Sequence, residues 1–367
     1  QALEALWSGQ TNCPYWHGVF GGAYLPHLRS EVYRSLIMAE AIADGQTHAG
    51  GPWVDAREMD FDRDGAGDVI LSSDALSLVI DPTDGGSCHE WDWRARSYNL
   101  ANVMSRRPES YHRHLTLAAE EGKIIAPGDS PPCDEAMAAR MVWVQERGLE
   151  RRLYYDWYRH ASFIDHFLHP HTSIQDVLRA QYGELGDFVN QPYRHAIVPG
   201  ADGLTLTLVR DGHIWQGEHF CPLRVEKAIR IRPGSPDVEA AYTVTNTCGM
   251  SISALFAIET SWGLVGGNGP TAAALVPGRD PAGLGTPVAL GASAELTLRL
   301  GWLRMAITIR SSQAAEQWLF PLQTITQAVG GYEGIYQGTC VFTSWPLTLA
   351  PGATWSVALR CEPRDSE

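Results

Sequence analysis

Tyr15, Trp16 and His17 stand side by side in QTNCPYWHGVFGGAYLPHLR, residues 10–29, with Gly18, Gly21, Gly22, Tyr24, His27 and Arg29 close behind. A tryptophan beside a histidine offers an apolar plate and a hydrogen-bonding hand. Glycines free the backbone, so large rings can lie against a close main chain. Such a lining suits a sugar or another flat, hydroxyl-rich ligand, and Tyr15, Trp16, His17 and Tyr24 are the candidate substrate-binding residues.

A second concentration of ionisable and aromatic residues runs from Arg151 to Phe167. Read as a strand, it places Asp156, Tyr158 and His160 on one face and Tyr155, Trp157 and Arg159 on the other. Two roles are open. Asp156, Arg159 and His160, with Glu259, could line a sugar-contacting cleft. They could equally form an internal network of ion pairs, since buried charges persist only when paired. Glu184, Asp187 and Glu259 are carboxylates in hydrophobic surroundings, but no two can be assigned from sequence as a glycosidase pair. No catalytic residue is therefore assigned. His166, His169 and His171 flank Pro170 and read as a loop rather than as ligands. No GxSxG elbow, phosphate loop or dinucleotide fingerprint is present.

Asp60, Asp62 and Asp64 alternate and are followed by Gly65 and Asp68, the pattern DxDxDGxxD. Carboxylates two apart in a tight loop can converge on a hard cation, as in the first half of a calcium loop. The twelfth position, where such a loop carries a bidentate Glu, is Leu71. Structural calcium on Asp60, Asp62, Asp64 and Asp68 stands beside a solvated acidic turn as the two readings, and no other cofactor is expected.

The elements that would position these residues fall into two regions. Residues 1–50 read as helices around the Gly-aromatic loop. Residues 1–8 end one helix, and a second starts near Pro26, where a missing N–H costs little. Leu28, Val32, Leu36, Ile37 and Ala43 recur at helical spacing, and Asp44-Gly45 closes the segment. A linker over 45–56 follows. Residues 51–367 read as a large antiparallel β-sandwich of short strands, such as Ala139 to Val144 and Leu204 to Val209, separated by Pro-Gly and Asp-Gly turns. The stretch from Ser97 to Ala119 reads as a helix and a long loop lying on the sandwich.

The formal charge is −14, from 28 basic and 42 acidic residues, with no basic run, which argues against nucleic-acid binding. No apolar stretch is long enough to span a membrane, and no signal-peptide pattern opens at Gln1. Seven cysteines without a CxxC pair read as reduced thiols of a cytoplasmic protein.

The residues 10–29 stretch resembles the last characteristic sequence region of glycoside hydrolase family 57, the α-amylases and 4-α-glucanotransferases. The similarity continues through DFDRDGAGDVILSSD, YNLANVMSRRPESYH, YYDWYRHASFIDHFL, GELGDF at 183–188 and YQGTCVFTSWPLTLAPGATWS. The resemblance implies a retaining enzyme acting on α-1,4-glucans or maltooligosaccharides. It also implies that a (β/α)7 barrel with a Glu nucleophile and an Asp acid/base lies before Gln1. This chain would then be the accessory C-terminal portion, with a galactose-mutarotase-type sandwich and no activity alone. Tyr15, Trp16 and His17 would line sugar subsites. Asn12-Cys13 stands where many members have Asn-Asp, so a charge near the sugar is absent. Two alternatives are a non-catalytic glucan-binding or structural module and a mutarotase-like epimerase. A His and a Glu converging in an open cleft would favour the epimerase.

Overall fold

The computed structural model describes residues 1–17 and 21–366. Two α-helices open the chain, α1 (Ala2–Gly9) and α2 (Pro26–Thr47). Pro26 occupies the first turn of α2, where its missing N–H is no loss. Asp44-Gly45 does not stop the helix. It runs to Thr47 and ends where the His48 ring stacks on Trp53, 3.8 Å between centroids.

The expected linker over 45–56 is shorter than the sequence suggested, because β1 (Val54–Met59) already begins inside it. With β2 (Asp68–Ser73), β3 (Leu76–Asp81), β4 (Ser87–Trp93) and β5 (Tyr98–Asn99) it makes a five-stranded antiparallel sheet. Arg94 pairs with Asp44 at 2.6 Å and ties this sheet to α2. The stretch after Ser97 holds a long loop and α3 (His112–Glu120). The strand expected from Ala139 to Val144 shrinks to β7 (Val142–Trp143), which pairs in parallel with β6 (Ile124–Ile125).

The remaining strands build one 11-stranded antiparallel sheet. They are β8 (Ile164–Leu168), β9 (Arg194–Gly200), β10 (Gly203–Gln216), β11 (His219–Ile231), β12 (Val238–Asn246) and β13 (Ile252–Trp262). Then come β14 (Ala272–Leu275), β15 (Val288–Leu300), β16 (Met305–Ala328), β17 (Gly331–Leu349) and β18 (Thr354–Asp365). Leu204, Leu206 and Leu208 of β10 turn inward as their alternation required. One apolar core takes residues from both sheets, including Leu71, Leu78 and Trp91 from the smaller and Leu208, Val225, Ile258 and Trp262 from the larger. The long β-rich region is thus mainly antiparallel, as its pattern implied.

The β16–β17 hairpin reaches beyond this core. The first half of β16 pairs with β15 and β18, while its last residues pair only with β17 as far as Ala328 and Gly331. Its end meets the N-terminal loop and α3.

Candidate functional site

The loop between α1 and α2 has a shape that glycine makes possible. Gly22 sits at φ +48, and a Cβ there would meet the Trp16 carbonyl oxygen at 2.1 Å. The Ala23 N–H donates to that same carbonyl at 2.9 Å. Trp16 is 51 % exposed, while Tyr15 ties its hydroxyl to the Gly9 carbonyl at 2.5 Å. His17 is half-buried. Its ring stacks on Tyr111 (5.4 Å, 29°) and meets the edge of Tyr24 (4.9 Å, 90°), with Nε2 3.4 Å from Thr326 Oγ1 at the end of the hairpin. Tyr24 is buried and donates its hydroxyl to Glu109. Gly18, singled out from the sequence, lies outside the described residues.

Behind His17, polar groups of α3 and of the hairpin end bond to one another. His112 Nε2 donates to the Ile325 carbonyl at 2.9 Å, which leaves Nδ1 to accept from the Glu109 N–H and the Tyr155 hydroxyl, each at 3.1 Å. Tyr332 donates to the Tyr111 carbonyl at 3.0 Å. The hairpin, α3 and the 106–109 segment therefore hold His17 in place, and Trp16 is left facing solvent. Sequence reasoning missed Glu109, Tyr111, His112 and Thr326, since nothing local marks residues about 90 to 310 positions away as neighbours of His17.

The second constellation is a chain of alternating charge. Asp156 holds Arg106 through the guanidinium and the backbone N–H, the latter at 2.6 Å. His160 Nε2 lies 3.2 Å from Asp156, and its Nδ1 lies 2.6 Å from Glu259 Oε1. His166 Nε2 reaches Glu259 Oε2 at 3.1 Å and its Nδ1 reaches Glu184 at 2.9 Å. Glu259 also accepts from the Tyr158 and Ser261 hydroxyls at 2.6 and 2.9 Å, so its four lone-pair positions are filled.

Burial disfavours charge on every member, and proximity decides the outcome. For His160, burial is outweighed by the carboxylates of Glu259 and Asp156, and its pKa stands well above the usual imidazole value. Burial likewise lowers His166, but its bonds to Glu184 and Glu259 prevail and raise it to about 9. Asp156 and Glu259 are each pushed up by burial and pulled further down by the imidazoliums, ending below the ordinary carboxylate range. Glu184, with a single imidazole partner, is raised because burial dominates.

Asp156, His160 and Glu259 thus come together, as an ion-paired core with no face open to a sugar. Arg159 is exposed on the other side, where its charge acts on Asp84 and Glu90. Inward and outward residues alternate as expected from 155 to 160, but the backbone is irregular rather than a strand, and the strand begins only at Ile164. His166 is likewise corrected. It belongs to β8 and is fully buried, whereas His169 and His171 lie in the turn after it. Cys340 approaches His160 and Glu259 closely enough for a shared metal, but metal ligation needs deprotonated imidazole and free lone pairs, and this cluster offers neither.

Asp60, Asp62 and Asp64 are exposed in the β1–β2 turn, and Asp68 is buried at the start of β2. Asp68 accepts from the Phe61 N–H at 2.9 Å, Asp62 from Asp64 at 3.2 Å and Asp64 from Ala66 at 2.7 Å. Oxygens of Asp60, Asp62 and Asp68 lie within 4.8 Å of one another. The backbone bonds alone account for the shape of the turn.

The architecture and this N-terminal loop have counterparts in known proteins. A family model described as alpha-amylase/4-alpha-glucanotransferase, C-terminal, matches residues 60–359, and the middle-domain model of the same description matches residues 1–43. The chain belongs to this alpha-amylase/4-alpha-glucanotransferase family. Alpha-amylase 1 of Dictyoglomus thermophilum is 27 % identical over 98 % of the chain and 48 % of its own length. The 4-alpha-glucanotransferase of Thermococcus litoralis is 28 % identical over 95 % of the chain and 46 % of its own length. The crystal structure of the Thermococcus litoralis 4-alpha-glucanotransferase superposes with a TM-score of 0.74 at 26 % identity, covering 98 % of this chain and 46 % of that one. A galactose mutarotase-like protein from Clostridium acetobutylicum shares the fold, with a TM-score of 0.50 at 8 % identity, over 86 % of this chain and 99 % of that one. The chain spans about half the length of the curated relatives it matches. Among the described residues, no helix is long and apolar enough to cross a membrane.

Proposed function

We propose that this chain is the C-terminal accessory portion of a retaining α-glucan-active enzyme of glycoside hydrolase family 57, and that it is not catalytic alone. The observation that carries this reading is the match of nearly the whole chain to under half of a solved 4-alpha-glucanotransferase. In this reading the preceding segment supplies the catalytic Glu and Asp in a (β/α)7 barrel, while Trp16 and His17 complete the sugar subsites. Trp16 is the exposed plate, and His17, braced by Tyr24 and Tyr111, presents its imidazole to a hydroxyl. The epimerase alternative lacks support, because the buried His–Glu convergence has no lone pair left for a sugar and the His195–Glu58 pair, 3.3 Å apart, lies at the surface with Glu58 exposed. Seven unbridged cysteines favour a cytoplasmic, reducing location.

The test compares the parent protein with the 367-residue chain on maltooligosaccharides. The parent should cleave or transfer glucosyl units, and the chain should do neither. In the parent, Trp16→Ala should lower kcat/KM about tenfold at unchanged Tm. His17→Ala should lower it by about one to two decades, as expected for a hydrogen bond to developing charge. Unchanged kinetics with a lower Tm in both variants would mean that the loop is only a wedge. Inactivity of the parent would favour a glucan-binding or structural module.

We also propose structural calcium at the Asp60–Asp68 turn, supported by the convergence of three carboxylates. Millimolar Ca²⁺ should then raise Tm in a calorimetric scan and a chelator reverse it, because a ligand of the folded state adds RT ln(1 + [L]/Kd). A Tm indifferent to both retires the metal.

A further inference from the structure

A cavity of about 310 Å³ lies between α2 and the turn joining β15 to β16, and none of Tyr15, Trp16, His17 or Tyr24 lines it. Its two sides differ in chemistry. From α2 come His27, Ser30, Glu31 and Arg34, spaced i, i+3, i+4 and i+7, one polar face of the helix. Opposite stands Trp302, 54 % exposed, above an apolar floor that includes Tyr98 and Met305.

The aromatic side is fixed in advance. Trp302 Nε1 donates to the Val265 carbonyl at 2.9 Å, so the indole edge is tied and its face is free. Arg96 donates to the Leu303 and Arg304 carbonyls, clamping the turn that carries Trp302. Tyr98 is held between the Gly263 carbonyl and the Val265 N–H at 2.7 and 3.1 Å. A ligand entering here would not have to order this side, which lowers the cost of binding.

We infer that this cavity is a second α-glucan-binding site, taking one glucosyl unit of a chain that also engages the Trp16 segment. The choice of ligand rests on the function proposed above. A pyranose has an apolar C–H face and a rim of hydroxyls, the complement of an indole face opposite a polar helix face. Arg34 is paired with Glu31 at 2.6 Å, and Arg96 is spent on carbonyls and on Asp365 at 3.1 Å. Among the described residues lining the cavity, both arginines are thus paired, which leaves little for an anionic ligand and suits a neutral, hydroxyl-rich one. Its volume is at the small end of ligand pockets, enough for a chain end rather than a long run of sugar. Holding the polymer at a second point raises its effective concentration at the first.

Titration of the 367-residue chain with maltotriose, followed by calorimetry, tests the site. Trp302→Ala should weaken binding about tenfold with Tm unchanged, since the ring is half exposed. Trp215→Ala, at an exposed ring that does not line the cavity, should leave the same binding intact. Affinity that survives Trp302→Ala, or a chain that binds no maltotriose although its parent cleaves maltooligosaccharides, overturns the site and leaves the proposed function standing. A parent inactive on glucans overturns the function instead, and the choice of glucan falls with it.

Discussion

Glu259→Gln lowers stability by about 3–5 kcal/mol, a fall in Tm on the order of 10 °C, measured by chemical and thermal unfolding. The carboxylate is the central anion of a buried series in which Arg106, His160 and His166 alternate with Asp156, Glu259 and Glu184. An amide of the same shape leaves two imidazoliums facing a neutral group, and one half of the amide confronts donors with another donor. The pH profile gives the same interaction a second readout. His166 is raised from its ordinary value to about 9. Its contribution is fully present below about pH 6.5, is lost as pH rises through 9, and amounts to roughly 3 kcal/mol. Asp156 and Glu259 are lowered, so theirs is present above about pH 4 and lost on acidification. Tm should be highest between about pH 5 and 7, and its alkaline fall should flatten in Glu259→Gln. A change under about 1 kcal/mol, or an unaltered alkaline limb, would show that the imidazoles are neutral in the folded protein.

If the parent protein has the proposed activity, Gly22→Ala lowers its kcat/KM on maltooligosaccharides about a hundredfold while the β-rich region keeps its Tm. A methyl group at Gly22 collides with the Trp16 carbonyl in a backbone conformation that L-residues rarely adopt. The loop must shift, and Trp16 and His17 move together, a displacement of the kind that costs about two decades in rate. The loss should equal or exceed that of His17→Ala. Wild-type kinetics in Gly22→Ala would mean that the loop's shape has no part in turnover.

The alternation of β10 and the helical spacing of α2 were legible because both report a single buried face. The Trp16–His17 loop was legible from residue types, but apart from Tyr24 the groups that brace His17 arrive from about 90 to 310 positions along the chain. The role of His166 was hidden for a different reason. Along a regular strand, residues 160 and 166 would stand about 20 Å apart. Phe163 is buried at φ +68, and the reversal there brings both imidazoles onto Glu259. A non-glycine residue in that conformation has no sequence signature, so the run read as one continuous strand and His166 as loop. Pro170 misled in the same direction, since it marks the turn after β8.

The β16–β17 hairpin is deep core at one end and the wall behind His17 at the other. The frontier between the Trp16–His17 loop and the β-rich region is therefore not a position in the sequence. A chimaera cut near residue 50, with the following region taken from a relative, would import a foreign hairpin end against a native loop. Its loop would lose the seat at Thr326, Ile325 and Tyr332 even if both halves folded. Exchange between relatives should succeed only when residues 106–112 and 324–332 travel with the loop they support, so the unit to be exchanged is a surface shared by several segments rather than a segment of chain.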